Sequence, residues 1–209
     1  MTGGVRDGGP CMTDPADVLS RVCTLLGGGA MAEAQATVHR EYPFTSTLPT
    51  SRAYTESIAT GVFARDGFLD RYSGARLVFP GTLRFLSLKL PEAFPYHRNW
   101  KTSATHPAYW QLYATVDHVV PVTRGGRDDE SNLVTTSMLR NSAKGAWLVE
   151  ELGWELRAGG QSGEWDGLMS WFVTRVAAEP SLLQQPFLRR WYAAAKRYAA
   201  APGDEKRGP

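Results

Sequence analysis

The chain has 209 residues, 43% hydrophobic, 11% aromatic and 21% charged, with a formal net charge of +2 and a pI near 8.6. That length makes one domain with extensions, or at most two small ones, and the composition is that of an ordinary soluble domain with material for a real core. It excludes a membrane-spanning helix, since no apolar run nears the roughly 20 residues a bilayer requires, and a disulfide framework, since Cys11 and Cys23 are the only cysteines. The opening MTGGVRDGGP lacks the apolar segment of a secretory signal, so the expected compartment is a reducing cytoplasm. The small positive charge is compatible with nucleic-acid binding and does not argue for it.

Residues 1–14 are Gly-rich and read as disordered. Asp14 or Asp17 can cap a helix running to about Leu26, with Val18, Val22 and Leu25-Leu26 at helical spacing and Gly27–Gly29 as its stop. Met31–His39 is Ala-rich and reads as a second short helix, with His39 on the surface. Ser51–Phe63 reads as a helix whose stripe Tyr54, Ile58 and Val62 faces the core. Leu77-Val78-Phe79 has strand and turn character, while Leu83–Leu90 fits helix or strand equally. Glu92–Trp110 is dense in aromatics; its His97 and His106 belong either to an extra wall of a site or to an aromatic loop with local hydrogen bonds. Ser142–Leu152 is expected to be helical, with Trp147, Leu148 and Leu152 inward and Gly153 as stop; Glu164–Ala178 and Leu182–Ala200 are expected to follow as helices. The last carries Arg189, Arg190, Lys196 and Arg197 on one side, a solvated face or a phosphate-touching stripe. The final PGDEKRGP reads as frayed. The expected division is a helical extension over 1–50, a core over 51–156 and a C-terminal helical extension over 157–209 packed on that core.

Thr115–Lys144 carries the chemistry. It reads as a short strand ending in Asp117-His118, a Gly-rich polar turn, a strand Leu133–Thr136 and a helix opening near Ser137. The carboxylate of Asp117 suits a hard cation such as Mg²⁺ or Mn²⁺. Imidazoles, with an unperturbed pKa of about 6.5, take protons from water near neutrality. Neighbouring strand residues point to opposite faces, so Asp117 and His118 share a site only where the pleat breaks; Pro121 and Gly125-Gly126 supply a break. Asn132 can hold an imidazole in one tautomer, and Asn141, about one turn into the helix, offers a second metal ligand. The spacings are 132 − 118 = 14 and 141 − 132 = 9.

Asp117, His118, Pro121, Gly125, Gly126, Asn132, Leu133, Asn141 and Lys144 together resemble the motif of the HNH endonucleases, the ββα-metal or His-Me finger group, over about 30 residues, with asparagine in the third motif position. The resemblance implies an α+β fold with a ββα core. It implies His118 as general base, Asp117 and Asn141 as ligands of Mg²⁺ or Mn²⁺, and Asn132 as the residue that orients His118. The implied reaction is hydrolysis of a DNA phosphodiester to 5′-phosphate and 3′-hydroxyl ends, with the metal neutralising the leaving oxygen. RNA meets the same chemical demand. Arg124, Arg127, Arg140 and Lys144 are the expected contacts to the nucleic-acid backbone, with Lys144 the better phosphate ligand if Arg140 is engaged elsewhere.

Upstream, Arg65–Phe68 and Arg71–Gly74 resemble the segment where many HNH proteins carry CxxC-Gly. Asp70 and Ser73 stand at the first two cysteine positions, Ser137 and Arg140 at the second two, so no structural zinc is expected. An Asp70–Arg140 ion pair and a Ser73–Ser137 hydrogen bond are expected to tie the loops instead. Two other functional classes fit the chain: a nucleic-acid-binding module of the same fold without catalysis, and an RNase or toxin-type nuclease.

Overall fold

The computed structural model describes residues 14–44, 54–160 and 165–201. The Gly-rich start, Cys11, Ser51 and the PGDEKRGP end lie outside them. The chain divides into two compact units, Met1–Pro49 and Thr50–Pro209.

The first unit is a helical pair. In α1 (Pro15–Gly27) the Asp14 side chain accepts from the Ala16 N–H at 2.9 Å and Pro15 opens the helix, so a lost backbone donor costs nothing there. Val18 and Val22 of α1 and Ala34 and Thr37 of α2 (Met31–Glu41) are buried, while Arg21 pairs with Glu41. His39 is exposed, as expected.

The second unit is α+β. Its helices are α3 (Glu56–Arg65), α4 (Pro80–Lys89), α5 (Ala108–Gln111), α6 (Met138–Lys144), α7 (Met169–Ala178) and α8 (Pro186–Ala200). Its sheet is one antiparallel pair, β1 (Ala114–His118) and β2 (Leu133–Ser137). The core gathers Phe63 of α3, Phe68, Leu77 and Phe79 of the following segment, Phe172 of α7, and Leu188 and Trp191 of α8. Phe79 meets Trp191 edge-on at 5.2 Å between ring centres. Each such ring contributes about 1.5–3 kcal/mol by leaving water, so α7 and α8 form the core together with α3. Among the described residues, no helix is long and apolar enough to cross a membrane.

Several element boundaries differ from the sequence reading. Leu83–Lys89 is helical and Leu90 caps it, because Pro80 opens α4 and Leu83 and Phe85 turn inward. The stripe of α3 splits: Val62 is buried, but Ile58 is exposed, and Ala59, Thr60 and Phe63 form the inner face. The helix after the motif stops at Lys144, where Gly145 takes φ 51 and ψ −121, leaving Trp147 exposed and Val149 in the core. The start of α7 is Met169, after Leu168 at φ 63, rather than Glu164, which lies outside the described residues. A 3-10 turn, Pro180–Gln184, precedes α8, which opens at Pro186.

The sheet is anchored along both edges, since buried backbone groups require partners. On the outer edge of β2 the Thr135 N–H donates to Asp66 Oδ2 (2.7 Å), the Ser137 N–H to Asp70 Oδ2 (3.0 Å), and the Leu133 carbonyl accepts from Arg65 (2.6 Å). On the outer edge of β1 the Val116 carbonyl accepts from Asn141 (3.1 Å) and the His118 carbonyl from Lys144 (2.7 Å). Helix α6 thus lies along β1 through side chains three residues apart.

Candidate active site

The loop between the strands is held by one side chain. Asn132 accepts from the Val120 N–H at 2.9 Å and donates to the Val120 and Arg127 carbonyls, each at 2.8 Å. The closure is tight enough to demand glycine at 126: a Cβ there would lie 1.8 Å from the Val120 oxygen. Gly125, at φ 88, supplies the left-handed turn. Asn132 therefore shapes the loop that follows His118 and does not touch the imidazole, which corrects its expected role as the ring's direct orienter.

The imidazole of His118, 3% exposed, has other partners. Its Nε2 lies 2.8 Å from Asp128 Oδ1 and 2.6 Å from the Tyr54 hydroxyl, which also donates to Asp128 Oδ1 at 2.9 Å. A carboxylate only accepts, so Nε2 carries a hydrogen toward Asp128, and in a neutral ring Nδ1 is the nitrogen with the lone pair. The Tyr54 hydroxyl is 3.3 Å from Nδ1. Neither partner was singled out from sequence. For Asp128 a usable signal exists: an acid ten residues past the histidine, in a loop folding back on it. Tyr54 figured only as part of an apolar stripe.

Asp117 stands in a second setting. It is 8% exposed, its Oδ2 accepting from the Tyr72 hydroxyl at 2.7 Å and lying 3.1 Å from Lys144 Nζ. Burial, and then the Asp117 charge, push the Tyr72 phenol well above its usual range, so it stays a donor. Lys144 is wholly buried between Asp117 and the His118 carbonyl. That corrects its expected role as a phosphate ligand. Asn141 donates to Thr115 Oγ1 (3.2 Å) and to the Val116 carbonyl, which fixes the sense of its amide and leaves Oδ1 outward as acceptor.

The break expected from Pro121 and Gly125-Gly126 comes too late to bring the two side chains together: regular pairing runs through Asp117↔Val134 and His118↔Leu133. Asp117 and His118 consequently face opposite sides of β1, with no side-chain partner in common among the described residues. Among the described residues no three His, Cys, Asp or Glu side chains gather as a metal cage. What remains for an ion is Asp117 Oδ1 and Asn141 Oδ1, which accept no hydrogen bond among the described residues. By donor chemistry such hard oxygens suit Mg²⁺, which retains waters and adds substrate phosphate, rather than zinc.

The remaining expected cations are engaged. Arg124 pairs with Glu151 at 2.8 Å, and the Leu148 N–H, then Arg124, hold that carboxyl below its usual range. Arg127, largely exposed, pairs with Asp129 at 2.5 Å. Arg140 sits 5.3 Å over the Trp154 ring and 3.8 Å from Asp70, the expected pair at long range. The Ser73–Ser137 bond is not made. Instead the Asp70 carboxylate, 1% exposed, accepts from the Tyr72, Ser73 and Ser137 N–H groups, joining both loops itself. His97 and His106 accept from the nearby Asn99 and Ala108 N–H groups, and His106 stacks on Phe94 at 4.1 Å, the packed-loop alternative.

Compared with family models, with curated proteins and with solved structures, the chain matches none.

Proposed function

We propose that the chain is a metal-dependent HNH-type endonuclease hydrolysing DNA phosphodiester bonds. The observation that supports this best is the β1–loop–β2–α6 unit, whose end carries a histidine held by an acid, a loop closed by Asn132, and two unspent ligand oxygens on Asp117 and Asn141. Asp128 and Tyr54 fix the imidazole; Nδ1, keeping its lone pair, takes a proton from water. Asp117 Oδ1 and Asn141 Oδ1 would hold Mg²⁺. When bound, that ion supplies charge neutralisation at the phosphate and leaving oxygen. Tyr72 and Lys144 both bond Asp117 Oδ2 and so turn its other oxygen to a ligand.

The test is cleavage of supercoiled plasmid DNA with Mg²⁺ by the wild type, His118→Ala and Asp117→Ala, with an RNA of equal length in parallel. Cleavage by the wild type alone supports the reading; equal activity in His118→Ala sinks it. A second reading, a nucleic-acid-binding module without catalysis, is favoured by one observation: the Lys144 ammonium already neutralises Asp117, and His118 lies on the other face of the strand. DNA binding without cleavage at any Mg²⁺ or Mn²⁺ concentration would establish it.

A further inference from the structure

We propose that the open cleft beside β1 seats one unpaired nucleobase of the bound strand; this rests on the nuclease reading and says where its substrate lies. The cleft, about 320 Å³, lies between the start of α3, the β1 backbone and the start of α8. Its walls are rings: Tyr54, Phe63, Tyr113, Phe187 and Trp191. Phe63 and Trp191 stack near parallel (19°) at 6.2 Å, fixing the floor, while Phe187, half-buried beside Trp191, leaves ring surface for a ligand. Concave aromatic surfaces of this kind stack bases whatever their sequence.

The position of the cleft ties it to the site. Tyr54 lines it and bonds His118; Thr115 lines it and takes the Asn141 amide. A base seated there brings its own sugar-phosphate to the end of β1. The acid in the lining is Glu56, whose Oε1 is 2.6 Å from Arg190 Nε. Its Oε2 accepts no hydrogen bond among the described residues, and a carboxylate oxygen is the natural partner of the exocyclic amino group of cytosine or adenine. Arg190 spends Nε on Glu56 and retains its terminal nitrogens for a phosphate.

The experiment is fluorescence anisotropy with excess chelator, so that no cleavage intervenes. The probes are labelled single-stranded decamers of deoxycytidine, of thymidine, and of an abasic tetrahydrofuran analogue with the same phosphates. The deoxycytidine strand should bind about tenfold or more tighter than the abasic strand and tighter than thymidine. Phe187→Ala should bind it no better than the abasic strand, Phe187→Tyr should restore the difference, and Glu56→Gln should erase the preference over thymidine. A circular-dichroism melt checks that each variant folds. Equal affinity of the wild type for base-bearing and abasic strands overturns the cleft. If plasmid is still cut with Mg²⁺ in that case, the nuclease reading stands without it; base-dependent binding without any cleavage keeps the cleft and removes the nuclease.

Discussion

Asp70→Ala should destabilise the second unit far more than Arg140→Ala, although the two residues were expected to hold the loops as an ion pair. The buried carboxylate accepts from the N–H groups of Tyr72 (2.9 Å), Ser73 (3.2 Å) and Ser137 (3.0 Å). The Ser73 N–H keeps a second acceptor in the Asp70 backbone carbonyl at 3.2 Å, so the Tyr72 and Ser137 N–H groups are the two orphaned, each at about 1–3 kcal/mol. With some water entering the gap, Asp70→Ala should cost about 2–5 kcal/mol in all. The guanidinium is 3.8 Å away and 38% exposed, so solvent screens the pair and its loss should cost less than about 1 kcal/mol. Asp70→Asn separates charge from geometry: it keeps an acceptor for Tyr72 and Ser73 but turns an NH₂ toward the Ser137 N–H, and should cost about 1–3 kcal/mol. Urea unfolding followed by circular dichroism reads the order as midpoints at unchanged slope. An Arg140→Ala midpoint as low as that of Asp70→Ala would refute the reasoning and return the loop joint to the ion pair.

Four further outcomes follow from the site. His118→Ala should lower DNA cleavage by about 10²–10⁴ while anisotropy shows binding retained; unchanged cleavage removes His118 from the mechanism. Asn132→Ala should leave the imidazole's partners in place yet open the loop after His118, seen as faster hydrogen exchange or proteolysis between Val119 and Asp129 and as reduced cleavage. Lys144→Met strands a buried carboxylate and should cost about 3–5 kcal/mol in a denaturant titration; a normal titration with weakened DNA binding would restore its role as a phosphate ligand. Excess chelator should stop cleavage and leave the melting temperature unchanged; a lower melting temperature would reveal a structural metal.

The strand–loop–strand–helix order was legible because local chemistry dictates it: β-branched runs, a glycine pair able to take a left-handed turn, and Ser137, whose side chain accepts from the Arg140 N–H at the start of α6. The end of α6 was not legible. Trp147, Leu148 and Leu152 continue a plausible helical stripe, and only the packing of Val149 against Tyr72 and Val134 takes the chain out of the helix at Gly145. Which carboxylates face inward was equally hidden. Asp70 read as the partner of Arg140 and Asp66 carried no role of its own, yet both are 1% exposed because the outer edge of β2 presents N–H groups that need acceptors.

The same ambiguity changes where a nucleic acid can be held. Of the four cations expected at the phosphates, Lys144 is buried on Asp117, Arg124 is held by Glu151, Arg127 by Asp129, and Arg140 lies over Trp154. Counting charges near the motif therefore overstates its pull on a polyanion. The cations of α8 are differently placed: Arg189 and Lys196 are exposed, and Arg190 and Arg197 each spend one nitrogen, on Glu56 and on Ser57. Helix α8 also supplies Phe187 and Trp191 to the cleft. On the nuclease reading, a strand drawn by these charges would reach β1 from the α3–α8 side, where Tyr54 meets the imidazole of His118, and not across the Gly-rich loop. Charge reversal at Arg189 and Lys196 should then weaken strand binding and flatten its salt dependence more than reversal at Arg124 and Arg127, and the opposite order would place the strand over the loop.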